Sequence, residues 1–463
     1  MRISPMPRDQ RKRMPAPLAV PEWRVRVGHF YFVLCATLII NGWTAYLVAQ
    51  RFRLYLGAWI ACAILLPYFI LGRTRIPLRP PWRALALLGS FHLLTLLSAN
   101  WSADPELALR WARLDLLWLA VFVVAVAWAQ GMSDVWISGF YVVLGLTGAV
   151  GAILFLWTVG AIVDPEAGSF RNTFALVFSC SLPFLLWRAR FAYAGGSAAL
   201  AGFAVVSLLL TGSRSALLAM PVALGGTAWI HLRNSRRRAR WGVGLGIIAA
   251  VSTVALAQVP AVARGVSEAR TRLVSETSLV VSSSLVAASR DEVDLERRAQ
   301  AYAALLNFRE HPLLGEGYMG VATRTEEIFG SPVTAHGIPF MLLGETGLVG
   351  TMLYAALLWG AFARIRRRLR AADGDRERSF YMTLALTLCV ILLIGLFHQV
   401  YRTPEFYVTL AFAYAADLTP RLAYRVAATP VPGRARWGAF ARGPDVEEGF
   451  AHESPGARAA GAG

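Results

Sequence analysis

Lysine is almost absent from this sequence: of 46 basic residues only Lys12 is not an arginine. Charge of either sign is scarce. Charged residues make up 16% of the 463 positions, against about 25% in soluble domains. The four cysteines, Cys35, Cys62, Cys180 and Cys389, each fall inside an apolar stretch with no metal-ligand spacing, which argues against a zinc site or a disulfide framework. There is no Walker A sequence, no HExxH and no GxSxG, so a P-loop nucleotide site, a zincin and an α/β-hydrolase elbow are excluded.

What is abundant is apolar sequence. Hydrophobic residues make up 56% of the chain and the mean hydropathy is +0.50. Such a surface must be solvated by lipid. The net charge of +18 is no nucleic-acid footprint, because the arginines punctuate the gaps between apolar runs instead of gathering in one soluble domain. A spanning helix needs roughly 20 apolar residues. Candidate spans lie at 28–49, 54–72, 82–98, 114–130, 135–160, 173–187, 196–211, 215–232, 242–258, 338–363, 380–397 and 404–420. The expected fold is therefore all-α, a polytopic membrane protein with about 12 transmembrane helices.

The gaps set the orientation. With the N-terminus inside, segments 1–27, 73–83, 131–134, 188–195, 233–241, 364–379 and the tail hold 31 of the 46 Lys and Arg residues. Basic loops stay in the cytoplasm, so both termini are expected there. Residues 1–27 form a basic N-terminus with no cleavable signal, and 28–258 carry the first nine spans. A long near-neutral outward loop, 259–335, carries eight Arg against ten Asp and Glu, with two short amphipathic helices expected near 261–276 and 293–310. Residues 336–420 carry the last three spans, and 421–463 form a Gly-, Pro- and Ala-rich tail of disordered composition.

Ionisable and hydroxyl groups gather at the outward membrane boundary. Thr211-Gly212-Ser213-Arg214-Ser215 lies between two adjacent spans; its arginine either snorkels or meets an anionic ligand. Arg297-Arg298 precede Glu310-His311-Pro312-Leu313-Leu314-Gly315-Glu316-Gly317, and His311, before a proline at a helix end, reads first as a cap or turn residue. His336 stands where the long loop enters a span; a histidine there can serve as a general base, although a lone interfacial histidine is more often structural. Glu345 follows nine residues later, on the opposite face if the helix is continuous. Gly347 and Gly350 suggest close packing, and His398 and Arg402 lie in the last outward loop. His92 reads as a hydrogen-bonded interior residue, while Asp104, Glu106, Asp164 and Glu166 read as solvated. Outward acidic residues are scattered, with no DxD-like pair to hold Mg²⁺ against a diphosphate; outward arginines can neutralise it instead.

Taken in order, these motifs resemble the O-antigen ligase and polymerase superfamily of bacterial inner membranes. The likeness rests on Thr211-Gly-Ser-Arg214, on Arg297 or Arg298 ahead of His311-Pro-Leu-Leu-Gly315, and on His336 entering a helix with Glu345-x-Gly347. Phe170-Arg171-Asn172-Thr173 is similar to the family's Asn-containing stretch. The chain departs from the family in having Gly337 where Asn is frequent, Ser215 where Gly is frequent, and its aromatic displaced to Tyr302.

The resemblance implies a metal- and cofactor-independent glycosyltransferase in a Gram-negative inner membrane, with its active site facing the periplasm. The donor would be an undecaprenyl-diphosphate-linked glycan and the acceptor the lipid A–core sugar of lipopolysaccharide. His336 would be the base. Arg214, Arg297, Arg298 and Arg402 would hold the diphosphate, with Ser213, Tyr302, His311, Glu345 and His398 in support. A polymerase joining lipid-linked repeats is the alternative within the family; the single long loop before the His span looks more like a ligase. A transporter or flippase is the alternative outside it, disfavoured because the spans hold few ionisable residues.

Overall fold

The computed structural model describes residues 81–130, 132–159, 168–192, 194–210, 213–233, 292–330, 337–398 and 400–415. The expected spans at 28–49, 54–72 and 242–258, the helix at 261–276, Cys35, Cys62, Asp164, Glu166, His336 and the tail lie outside them. All described residues belong to one unit, Met1–Thr419.

Among the described residues every regular element is helical. In chain order they are α1 (Trp82–Leu97), α2 (Pro105–Ala129), α3 (Asp134–Val159), α4 (Gly168–Phe191), α5 (Ala194–Leu210), α6 (Arg214–Arg233), α7 (Glu292–Glu310), α8 (Gly320–Phe329), α9 (Ile338–Met341), α10 (Gly347–Ala371), α11 (Asp375–Gly395) and α12 (Pro404–Ala415). Among the described residues six helices are long and apolar enough to cross a membrane: Trp82–Asn100, Pro105–Ala129, Asp134–Ile153, Phe174–Phe191, Ile338–Ala371 and Asp375–Gly395.

Local chemistry explains where several helices begin and end. α2 starts well before the apolar run, because Asp104 accepts a hydrogen bond from Leu107 N at 2.9 Å and Pro105 takes the first helical position. Asp104 is thus a cap, while remaining partly exposed. α7 stops at Glu310, two residues before Pro312, which supplies no N–H to continue it. The segment entering α10 is not one continuous helix. α9 gives way to a wider π turn over Leu342–Thr346, and the chain then breaks at Gly347, with φ 61°. A helical wheel through 336–345 therefore does not apply.

α12 is the central post. All twelve of its residues are buried. Tyr407 stacks on Trp118 of α2 with ring centroids 6.3 Å apart, and Phe412 meets Phe140 of α3 at 5.4 Å. Tyr414 donates to Leu357 O of α10 at 2.6 Å, and Thr409 shares a 2.8 Å hydrogen bond with Tyr141. Between helices in lipid, this interlocking of side chains replaces the hydrophobic drive as the source of association. His92 is buried beside α12, but it is not hydrogen-bonded as expected. Neither ring nitrogen has a partner among the described residues; its ring lies 6.3 Å from that of Tyr407, and Thr95 Oγ1 donates to its carbonyl instead.

The two ends of the bundle differ in chemistry. At one end Arg376 pairs with Asp134 at 2.8 Å, Arg188 donates to Val135 O at 3.2 Å, and Arg190 donates to His231 O at 3.0 Å. These contacts gather the segments that the charge pattern assigns to the cytoplasm. The opposite end carries the groups described next.

Candidate functional site

Two separated sequence motifs are laced together by their backbones. Glu316 N donates to Gly344 O at 3.0 Å and Gly317 N to Glu345 O at 3.1 Å. Leu348 N donates to Pro312 O at 2.9 Å and Val349 N to Leu313 O at 3.1 Å. The last two satisfy the first N–H groups of α10, which have no partner within the helix. The contact needs Gly347: at φ +61° a Cβ there would lie 2.5 Å from Leu313 O. Pro312 and Leu313 thus form the cap of α10, and His311, whose carbonyl accepts from Gly315 N at 2.9 Å, is the turn residue the sequence allowed. Its Nε2 lies 3.0 Å from Glu316 Oε2.

Beneath this turn lies a buried ionic cluster. Arg402, in a short 3₁₀ turn ahead of α12, is 5% exposed. Its Nε donates to Tyr318 Oη at 2.9 Å. Asp115 Oδ2 and Glu345 Oε2 each stand 3.8 Å from the guanidinium. Tyr318 Oη donates in turn to Asp115. The guanidinium lies over the rings of Tyr318 and Trp111, at 4.7 and 5.4 Å. Tyr318 is clamped from behind: its N–H donates to Ser98 Oγ, and its carbonyl accepts from Ser102 Oγ, both at 2.9 Å. The next residue, Met319, has φ 64°, the only non-glycine positive φ among the described residues. Local backbone strain of this kind persists where the surroundings over-determine it.

Buried charges are costly unless paired. Here one arginine faces two carboxylates drawn from α2 and from the π turn. The cluster therefore joins the loop after α7, the entry to α10, α2 and the turn before α12. Any anion reaching Arg402 would compete with Asp115 and Glu345. Asp115 and Tyr318 escaped the sequence reading. Asp115 had a signal, an acid inside an otherwise apolar span; Tyr318 had none.

A second hydrogen-bonded group stands at α6. His398 Nε2 lies 2.8 Å from Ser215 Oγ, and Ser215 Oγ lies 2.9 Å from Ser213 Oγ. The two serines flank Arg214, the first residue of α6. Close by, Gly337 packs on the end of α11, where a Cβ would stand 2.6 Å from Leu396 O. Two of the three departures from the family pattern acquire a reason here. A side chain at 337 would strike the Leu396 carbonyl, and the hydroxyl of Ser215 has its own partner in His398.

The remaining expected residues fall as follows. Arg214 opens α6, Arg297 and Arg298 lie in the first turns of α7, and Arg171 and Asn172 lie in those of α4; only their backbones are described. His336 lies outside the described residues, one position before Gly337. Tyr302 is 39% exposed on α7. α7 runs beside Ile338–Gly347 in the same direction. A Cβ on Gly344 would meet Ala304 Cα at 2.9 Å, while Pro312 beyond α7 meets Leu348. The backbone of Arg297 and Arg298 therefore lies toward the Gly337 end. As for metals, Glu310, His311 and Glu316 bring one potential ligand atom each within 4.8 Å of one another, although Glu310 is paired with Arg324.

A search of curated proteins finds no match for the chain. Residues 198–355, about a third of the chain, match the family model described as O-Antigen ligase. The matched stretch contains Ser213, Arg214, Ser215, α7, the His311–Gly317 turn, Gly337 and Glu345. By this match the chain carries a domain of the O-antigen ligase and polymerase superfamily.

Proposed function

We propose that the protein is an O-antigen ligase, a glycosyltransferase that moves a glycan from undecaprenyl diphosphate to the lipid A–core sugar of lipopolysaccharide. The observation that carries this reading is that the family motifs are held, in two bonded groups, at the same end of a helical bundle. The turn His311–Gly317 is bonded to Gly344–Val349, Gly337 abuts Leu396, and His398 reaches Ser215 beside Arg214. The lipid-diphosphate chemistry fits that location. A polyprenyl tail lies in the bilayer, its diphosphate at the interface and its glycan in water.

In this reading the acceptor hydroxyl attacks C1 of the donor glycan. His336 takes the hydroxyl proton as the new C1–O bond forms. The C1–O bond to phosphate breaks, and its electron pair leaves on the diphosphate. Arg214 with Arg297 or Arg298 binds that diphosphate through paired N–H donors and stabilises the charge that develops on it. Arg402 helps by holding the surrounding elements in register. No step calls for a metal. The chain crosses the inner membrane twelve times with both termini cytoplasmic, and 259–335 faces the periplasm.

Reconstitution of the purified protein with a lipid-linked glycan tests this directly. Glycan joined to a lipopolysaccharide core acceptor, undiminished by chelators, is the expected product. Joining of two lipid-linked repeats instead would make the protein a polymerase. Movement of intact donor across the bilayer with no new glycosidic bond would make it a carrier.

A further inference from the structure

At the end of α7 remote from Arg297 and Arg298 the chain folds a cavity of about 420 Å³. Trp101, from the turn after α1, forms one wall. Glu310, His311, Leu313, Leu314 and Glu316 form the others. These walls are fixed by the backbone. Gly315 N donates to His311 O at 2.9 Å, and the Pro312 and Leu313 carbonyls are tied to α10. The polar rim is internally paired: His311 Nε2 lies 3.0 Å from Glu316 Oε2, and Arg324 pairs with Glu310. Apolar surface remains open beside it, with Trp101 39% exposed, Leu313 64% and Leu314 44%.

This combination suits one class of ligand. A pyranose offers C–H faces to an aromatic ring and a belt of hydroxyls to carboxylates and imidazole. An anionic group would meet Glu310 and Glu316, and a hydrocarbon tail would leave the rim unused. The cavity is also far from the expected transfer point. Arg297 and Glu310 are thirteen residues apart on one helix, about 20 Å at 1.5 Å per residue. We propose that this cavity is a remote saccharide subsite, holding sugars of the glycan several units away from the bond being formed. The proposal rests on the reading of the protein as a glycosyltransferase. The sugars can belong to the donor glycan or to the acceptor core, which share this chemistry.

The test compares wild type, Trp101→Ala and Trp101→Phe in lipid nanodiscs. Donors carry either the full glycan or a single sugar, and acceptors carry either the full core or its terminal sugar. Trp101→Ala is expected to raise KM about tenfold for the long substrate, the factor left by one lost contact of ~1.4 kcal/mol. It should leave kcat and the KM of the truncated form unchanged, and Trp101→Phe should recover most of the loss. Whichever substrate shows the length dependence supplies the sugars. A KM unaffected by Trp101→Ala for every substrate would overturn the subsite. Binding of free, released glycan, followed by saturation-transfer NMR, reads the subsite without catalysis. Binding that Trp101→Ala abolishes, in a wild-type protein that transfers nothing, would keep the subsite and remove the glycosyltransferase reading. Absence of glycan binding to wild type would overturn the subsite.

Discussion

His398 and Ser215 are joined by a 2.8 Å hydrogen bond across 183 positions of sequence. The bond connects the turn after α11 to the first turn of α6, one residue from Arg214. It gives both residues a task that neither motif discloses alone, which is to fix the backbone that carries the arginine.

If the two residues act through that bond, their effects will not add. Ser215→Ala and His398→Ala should each slow glycan transfer several-fold, in line with a hydrogen bond of about 1 kcal/mol. The double variant should be no slower than the worse single one. Transfer rates from purified, folded variants check this, and strictly multiplicative losses would show that the two side chains act independently.

The cluster around Arg402 makes a prediction about stability. Arg402→Met leaves Asp115 and Glu345 buried without their cation, a loss that costs roughly 3–5 kcal/mol when one partner of a buried pair is removed. A marked drop in the thermal unfolding midpoint in detergent is expected. The same variant with Asp115→Asn and Glu345→Gln added should regain part of it. A single variant that melts with wild type would show that the cluster does not hold the loop on the bundle.

Gly337 stands where the family frequently has asparagine. Gly337→Asn would force a Cβ to within 2.6 Å of the Leu396 carbonyl. The variant should lose thermal stability and transfer activity together. Gly337→Asn that matches wild type in both would show that α9 and the end of α11 move apart freely.

The orientation can be read by labelling. In a cysteine-free background, a single cysteine at the exposed position Glu326 should react with an impermeant reagent from outside, and one at the exposed Arg370 should not. Thr325, one residue earlier, is only 1% exposed and would report burial instead of sidedness. Labelling of 370 from outside, with 326 protected, would invert the topology.

These residues also show what the sequence disclosed. The helices announced themselves through long apolar runs, because lipid allows little else, and α1, α3 and α6 begin within one residue of their expected starts. The motifs at Ser213, His311, Glu345 and His398 were visible as polar groups at span ends. Their pairing was not: a 2.8 Å bond between Ser215 and His398 has no local signature. The break at Gly347 was hidden for a similar reason, since a glycine in an apolar run reads equally as packing. Asp115 was legible as an acid inside a span but went unremarked, and its partner Tyr318 could be found only in three dimensions.

The central claim is that His336 is the general base, and His336→Ala is its most direct test. Wild type and variant are purified, matched for folding by thermal unfolding, and matched for donor retention by binding of the lipid-linked glycan. Product is then counted with lipopolysaccharide core as acceptor. Removal of a positioned base typically costs roughly 10²–10⁴ in rate. His336→Ala should therefore bind donor as wild type does and transfer glycan slower by a factor in that range. Transfer at a rate near wild type would contradict the account and move the proton to another group.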